Sequence, residues 1–280
     1  MIRFVTEAGL AATIHFISGL PRSGSTLLSA LLRQNPRFSA GVTSPLSALC
    51  GALHQKMGTG EFSVFFDEPR RAAMLRGLFE TYYEHPPSDR VVFDTNRSWT
   101  GRVPLLTQLY PRCRIICCVR EVGWILDSIE RLRAKHPLQV SKIFNPQSSA
   151  TVYTRAEGLM NSDKGLVGLA WSSLREAWFS EGARHLLVIP YESLVRSPER
   201  TLRGLYEEMG EPPFAHDFHH VKYEEPDYDE QLGMPGLHTV RPEVKYEERT
   251  ACIPPDLFAK YANTNFWAHP ELNKRRITVL

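Results

Sequence analysis

The stretch "HFISGLPRSGSTLLSALLRQNP", residues 15–36, decides how the rest of the chain is read. An apolar run ends in Gly19 and a turn-forming stretch follows. A helical pattern then starts at about Gly24, with leucines at 27, 28, 31 and 32 on one face and Pro36 as its stop. A loop that enters a helix exposes unpaired backbone N–H groups at the positive end of the helix dipole, so the junction from Arg22 to Leu27 is an anion site. Within Arg22, Ser23, Gly24, Ser25, Thr26 and Leu27, the arginine supplies a planar charged fork. Gly24 lets the backbone approach the ligand, and Ser25 and Thr26 offer hydroxyls. A nucleotide-hydrolysing phosphate loop would read G-x-x-x-x-G-K-[ST]. Here no lysine follows Gly24, and the charge has moved upstream to Arg22.

Outward from this loop the pattern alternates. Strands are expected at 12–18, at 90–95 ("RVVFDT"), at 113–120 ("CRIICCVR") and in "HLLVIPYESL", with helices between them in "GRVPLLTQLYP", "EVGWILDSIERLRAKH" and "KGLVGLAWSSLREAWFSEG". A further helix, "SPERTLRGLYEEMG", has Ser197 as expected cap, Pro198 at its first position and Gly210 at its stop. The strands are apolar at consecutive positions, as when both faces are covered. The fold class is therefore α/β, a three-layer, mostly parallel central sheet with helices on both faces, of the P-loop nucleotide-binding type. One domain spans 1–280. Segments 37–89 and 135–160 read as insertions over the mouth of an acceptor site, and 212–280 as a C-terminal wrap.

Lys and Arg total 33 against 31 acidic residues, a net charge of +2. That balance leaves no footprint for nucleic-acid or membrane-surface binding, so any bound anion is met by local charge. Five cysteines are an odd number, and Cys117 and Cys118 point to opposite faces of a strand and cannot join in a relaxed bridge. They imply a reducing compartment. The first twenty residues are interrupted by Arg3, Glu7 and His15, so neither a signal peptide nor a membrane span is expected, and the location is cytoplasmic.

A second anion feature follows the third strand. Arg120 stands at a strand's carboxyl edge, where open α/β sheets place ligands, and Ser128 lies about two helical turns on. Together the two features resemble the sulfotransferases that use 3′-phosphoadenosine-5′-phosphosulfate (PAPS). "GLPRSGSTLL" looks like that family's 5′-phosphosulfate loop, in the form found in tyrosylprotein and many bacterial members. The Arg-x₇-Ser spacing of Arg120 and Ser128 matches its 3′-phosphate site, and "IPYESLVRSPERTLRGLYEEMGEP" resembles its later strand-loop-helix. The likeness covers most of 13–210. It implies PAPS as donor and 3′-phosphoadenosine-5′-phosphate (PAP) as product, no metal, Tyr191 on the 3′-phosphate side, and His238, Arg241 and Arg249 as nucleotide contacts from a C-terminal segment folded over the cofactor. A sulfuryl group carries less charge than a γ-phosphoryl group, which accounts for the missing lysine.

The acceptor, a hydroxyl or amine compound of a class the sequence leaves open, needs a general base, and here the chain departs from the family. The small-molecule members' K-T-H motif corresponds to Asp94-Thr95-Asn96, followed by Arg97, so its histidine is replaced by Asn96. The glutamate used by the tyrosylprotein branch has no counterpart in "SAGVTSPLSAL". Asp94 is the candidate base, with capping of a turn or pairing with Arg97 as the competing role. Asn96 and Arg97 are candidates for stabilising charge on the bridging oxygen, with binding of an anionic acceptor as the other role open to Arg97. "HDFHH" (216–220) lacks partners at metal-ligand spacing, Trp171 and Trp178 read as core, and "EEPDYDE" (224–230) as a solvated acidic loop. Two other functions compete: an ATP-dependent small-molecule kinase, which needs a loop lysine and a metal-holding acid, and a nucleotide-binding protein without turnover.

Overall fold

A computed structural model describes residues 12–144 and 150–280. Residues 1–11, part of the stretch read as free of a leader, and the middle of the 135–160 segment lie outside it. The chain runs β1 (Thr13–Gly19), α1 (Ser25–Leu32), β2 (Phe38–Ala40), α2 (Leu46–Gly58), α3 (Glu68–Tyr82) and β3 (Val91–Thr95). It continues through α4 (Val103–Leu109), β4 (Ile115–Val119), α5 (Val122–Lys135), α6 (Val152–Leu159) and α7 (Gly168–Phe179). The last part holds β5 (Leu186–Pro190), α8 (Tyr191–Arg196), α9 (Pro198–Met209), α10 (Pro226–Gln231), α11 (Pro255–Lys260) and β6 (Thr278–Val279). Six strands lie in the order β2-β3-β1-β4-β5-β6, and every pairing is parallel.

Two strands were not expected. β2 has three residues and β6 two, too short for a readable pattern, and β2 brings the start of the 37–89 segment into the sheet. Ser197 precedes α9 but its side chain makes no capping bond, whereas Gly210 does end that helix in the left-handed conformation at φ 70°. Strand residues alternate between two cores. Phe16, Cys117 and Val188 face one cluster and Ile17, Cys118 and Ile189 the other, as the two-residue period demands. No disulfide forms among the five cysteines, of which only Cys252 is exposed. Trp178 is buried in the core and Trp171 packs against it. No described helix is long and apolar enough to cross a membrane.

One buried polar residue of β1 has a thermodynamic consequence. The His15 ring lies tilted against Phe93, its Nδ1 accepts the Arg114 amide N–H at 2.9 Å, and its Nε2 has no partner among the described residues. Burial, with the Arg114 charge second, pushes its pKa down to about 4. An unfolded imidazole titrates near ~6.5, so the unfolded chain binds the extra proton between these values. Stability is complete above about pH 6.5 and falls by roughly 3 kcal/mol as the pH drops to about 4. His15→Gln keeps an acceptor for Arg114 and should flatten this part of the urea-midpoint profile. An unchanged slope would remove His15 as its cause.

Candidate active site

The parallel sheet places the carboxyl ends of β1, β3, β4 and β5 side by side, with the reversal of strand order on either side of β1. Open α/β sheets bind ligands at such a switch point. A cavity of about 330 Å³ opens there, lined by the loop after β1 and by residues that leave the other three strands.

The loop's course depends on backbone that few residues adopt. Gly19 has φ +98°, and a Cβ there would lie 2.2 Å from the Cys118 carbonyl oxygen, so only glycine fits beside β4. Arg22 is itself left-handed at φ 57°, and Gly24 caps α1 at φ 92°. Such conformations are held only where surrounding structure enforces them, and Ser23 helps by donating to the Pro21 carbonyl at 3.3 Å. The first intrahelical bond runs from the Leu28 N–H to the Gly24 carbonyl at 2.8 Å. The N–H groups of Ser25, Thr26 and Leu27 therefore face the cavity mouth without an intrahelical acceptor.

Arg22 turns across the cavity. Its Nε donates to the Ser128 hydroxyl at 3.2 Å and its Nη1 to the Leu237 carbonyl. Burial, and next the charge of Arg120, lower its pKa to about 10. Arg120 leaves the end of β4 and stacks 4.1 Å above the Tyr191 ring, with Nη1 3.5 Å from the Arg22 carbonyl. Its Nε is buried without a partner. The two anion features of the sequence thus meet in one continuous cradle. Of the arginines lining it, Arg22, Arg97 and Arg120 have no ion pair among the described residues. Arg241 also lines the cavity but is largely exposed and paired with Glu247, and Arg249 is held 2.7 Å from Asp127 over the Trp124 ring.

Asp94 is not where its expected role requires. It is fully buried beneath the cavity, outside its lining, and its carboxylate accepts from the Tyr83 hydroxyl at 2.7 Å and Trp99 Nε1 at 2.6 Å. Burial raises its pKa, although the hydrogen bonds from Ser44, Tyr83 and Trp99 oppose the rise. Its two oxygens thus tie the residue that follows α3 to the turn after β3, an arrangement unlike the expected one, in which the carboxylate faces the acceptor. Asn96 is also engaged: Nδ2 donates to the Ser44 carbonyl at 3.1 Å, and Oδ1 accepts from the Ser98 N–H at 3.1 Å and its hydroxyl at 2.6 Å. Arg97, beside it, lines the cavity, and its guanidinium has no hydrogen bond or ion pair among the described residues.

The residue best placed to take a proton was not singled out for that purpose. His238 lines the same cavity, and its Nδ1 lies 2.5 Å from Asp229 Oδ1, while its backbone N–H donates to Asp229 Oδ2 at 2.9 Å. With Asp229 a carboxylate, Nδ1 is the donor to it, and Nε2, which has no partner among the described residues, is left as the acceptor. Asp229 is 1% exposed, which corrects the reading of 224–230 as a solvated loop: residues 226–230 belong to α10, and this side chain turns inward. Burial pulls the His238 pKa below the ordinary imidazole value, against the hydrogen bond and charge of Asp229, which raise it, and Arg22 and Arg97, which lower it further. Trp124 was also missed, although it lies four residues before Ser128 on α5 and so shares its face. The histidines of 216–220 go elsewhere, to Tyr206, Glu243 and Asp217.

A profile of the sulfotransferase family matches residues 15–217, from the start of β1's core to beyond α9. The chain belongs to that family. Among solved structures it is similar to the sulfotransferase domain of the Synechococcus PCC 7002 olefin synthase, at 18% identity and a TM-score of 0.52, covering 96% of this chain and 99% of the other. It is also similar to a sulfotransferase from Alicyclobacillus acidocaldarius, at 17% identity and a TM-score of 0.50, covering 79% and 89%. At these identities the likeness is one of fold, and the P-loop-like α/β sheet expected from the sequence is the fold this sulfotransferase has.

Proposed function

We propose that this sulfotransferase moves a sulfuryl group from PAPS to a hydroxyl acceptor, with His238 as general base in place of Asp94. The observation that carries the reading is the cradle itself. Arg22 and Arg120 are pressed together against their mutual repulsion, Arg120 Nε is buried without an acceptor, and three helix N–H groups open into the same space. Such a site is short of negative charge, and a nucleotide with phosphate at two positions supplies it. PAPS contributes an activated sulfuryl group on its 5′-phosphate. Arg22, the loop N–H groups and the Ser25 and Thr26 hydroxyls hold the 5′ end and stabilise charge on the sulfuryl and bridging oxygens, and Arg120, Ser128 and Tyr191 take the 3′-phosphate. Arg241 closes over the nucleotide from the C-terminal wrap.

The acceptor hydroxyl forms its bond to sulfur as the sulfur–phosphate oxygen bond breaks, PAP leaves, and the hydroxyl proton passes to His238 Nε2. Asp229 positions the imidazole and stabilises its charged form. Arg97, at the junction of the cavity with the larger one beside it, steadies the developing charge. No metal is needed on this route. A kinase reading would require a metal-holding acid after a strand, and Asp94 is sealed beneath Trp99. Five unpaired cysteines suit a cytoplasmic enzyme.

Calorimetric titration with PAP, against ATP with Mg²⁺, tests the donor. PAP alone should bind, in the micromolar range, and preferential binding of ATP would overturn the assignment. Consumption of PAPS with an acceptor panel then separates an enzyme from a binding protein. Arg120→Ala should weaken PAP binding by about 2 kcal/mol, since a bound phosphate oxygen loses a charged donor. An unchanged affinity would mean that the 3′ pocket lies elsewhere.

A further inference from the structure

Beside the nucleotide cradle lies a larger cavity, of about 890 Å³, walled by the 97–102 turn, α4 and the start of α7. Asn96, Arg97 and Leu166 line both spaces, so the two are neighbours that share a wall at Arg97. Its apolar part comes from Pro104, Leu105 and Leu169, and its charge from Arg97, Arg102 and Lys164, with no aspartate or glutamate in the described lining. A solvated protein face normally mixes both signs, so a wall of one sign on an apolar floor asks for a complementary ligand.

Arg102 sharpens the point. It is half-buried, yet its guanidinium forms no hydrogen bond and no ion pair among the described residues. It lies against the backbone of α2 where residue 51 is glycine: a Cβ there would come within 2.5 Å of Arg102 Nη2. The glycine makes the space in which the charge rests. Cys50 beside it senses that charge, which opposes the rise that burial imposes on its thiol. A guanidinium kept in a shaped recess with unused donors is a receptor for a carboxylate, phosphate or sulfate oxygen pair.

We infer that the acceptor is an anionic amphiphile: a hydroxyl-bearing molecule with an apolar body and an acidic group, the acid held by Arg102 and the hydroxyl presented past Arg97 to His238. This rests on the sulfuryl-transfer reading and adds the class of acceptor to it. The 3-10 turn from Arg97 to Arg102 takes five steps, a rise of roughly 10 Å, so the acid and the hydroxyl should stand about that far apart. Cationic acceptors are excluded by the same wall.

The probe set is 4-(4-hydroxyphenyl)butanoate, its methyl ester and the matching primary amine. Each is measured by turnover with PAPS and by calorimetric binding to the full chain, with and without PAP. The acid should exceed the ester at least tenfold in kcat/KM and in affinity, and the amine should be poorest. Arg102→Gln should collapse the acid-to-ester ratio to about one. Gly51→Ala, which displaces only the end of a flexible side chain and favours the helix, should lower the ratio in a protein that remains folded. Equal use of acid and ester, preference for the amine, or an acid preference that survives both substitutions would overturn the inference. If PAP itself fails to bind, the donor assignment falls, while the acid-against-ester comparison on the nucleotide-free protein still reads the cavity.

Discussion

Arg22→Ala should lower kcat/KM on the order of a thousandfold, the size seen when a preorganised donor to developing charge is removed. The loss is large because the guanidinium is already stripped of water and oriented. It is anchored by Ser128 and the Leu237 carbonyl, and burial holds its pKa down to about 10. A group in that state has given up hydration before the ligand arrives and returns the full electrostatic gain when an anion comes. Because Arg22 also joins the loop to Ser128, its removal should weaken PAP as well as slow transfer, and both appear in kcat/KM. Arg22→Lys keeps the charge without the fork and should recover only part of the rate. A fall of less than tenfold for the alanine variant would take Arg22 out of the reaction.

The second large effect is at His238. Replacement by alanine should cut kcat by 10² to 10⁴, the usual contribution of a positioned base, with PAP affinity much less affected. The pH profile separates proton transfer from mere support. Neutral imidazole is the active form, so kcat/KM should fall below the His238 pKa. That limb lies to the acid side of the ordinary imidazole value because burial dominates the shift. Asp229→Asn removes a partner that raises this pKa, so the limb should move to still lower pH while kcat declines. A limb that stays in place when Asp229 changes would sink the dyad, as would a His238→Ala variant with normal kcat.

The two misreadings near the site have the same origin. Asp94 follows Val92 by one strand period, and Val92 belongs to the core beneath the sheet, so its carboxylate points that way too. The groups that receive it, Tyr83 and Trp99, lie 11 residues before it and 5 after it. Tyr83 belongs to a segment that looked like a covering insertion, and no local pattern announces such a clamp. Asp229 sat in an acidic run whose composition is that of a surface loop. What turns it inward is the docking of residues 226–240 over the loop after β1, where the Leu237 carbonyl meets Arg22.

The sequence by itself determined the parallel α/β sheet and the glycine-turned loop into α1, and its spacing marked Arg120 and Ser128, although the structure bonds Ser128 to Arg22. Each is written in a short window, as a run of consecutive apolar residues, a glycine at a turn position, or a spacing from a strand's end into the helix that follows. Only the tertiary structure decided which acidic residue is sealed and which holds an imidazole in place, and that Arg97 stands between two cavities. Those outcomes depend on which side chains from distant segments reach a buried polar group first, and a carboxylate takes its role from the donors that surround it rather than from its neighbours along the chain.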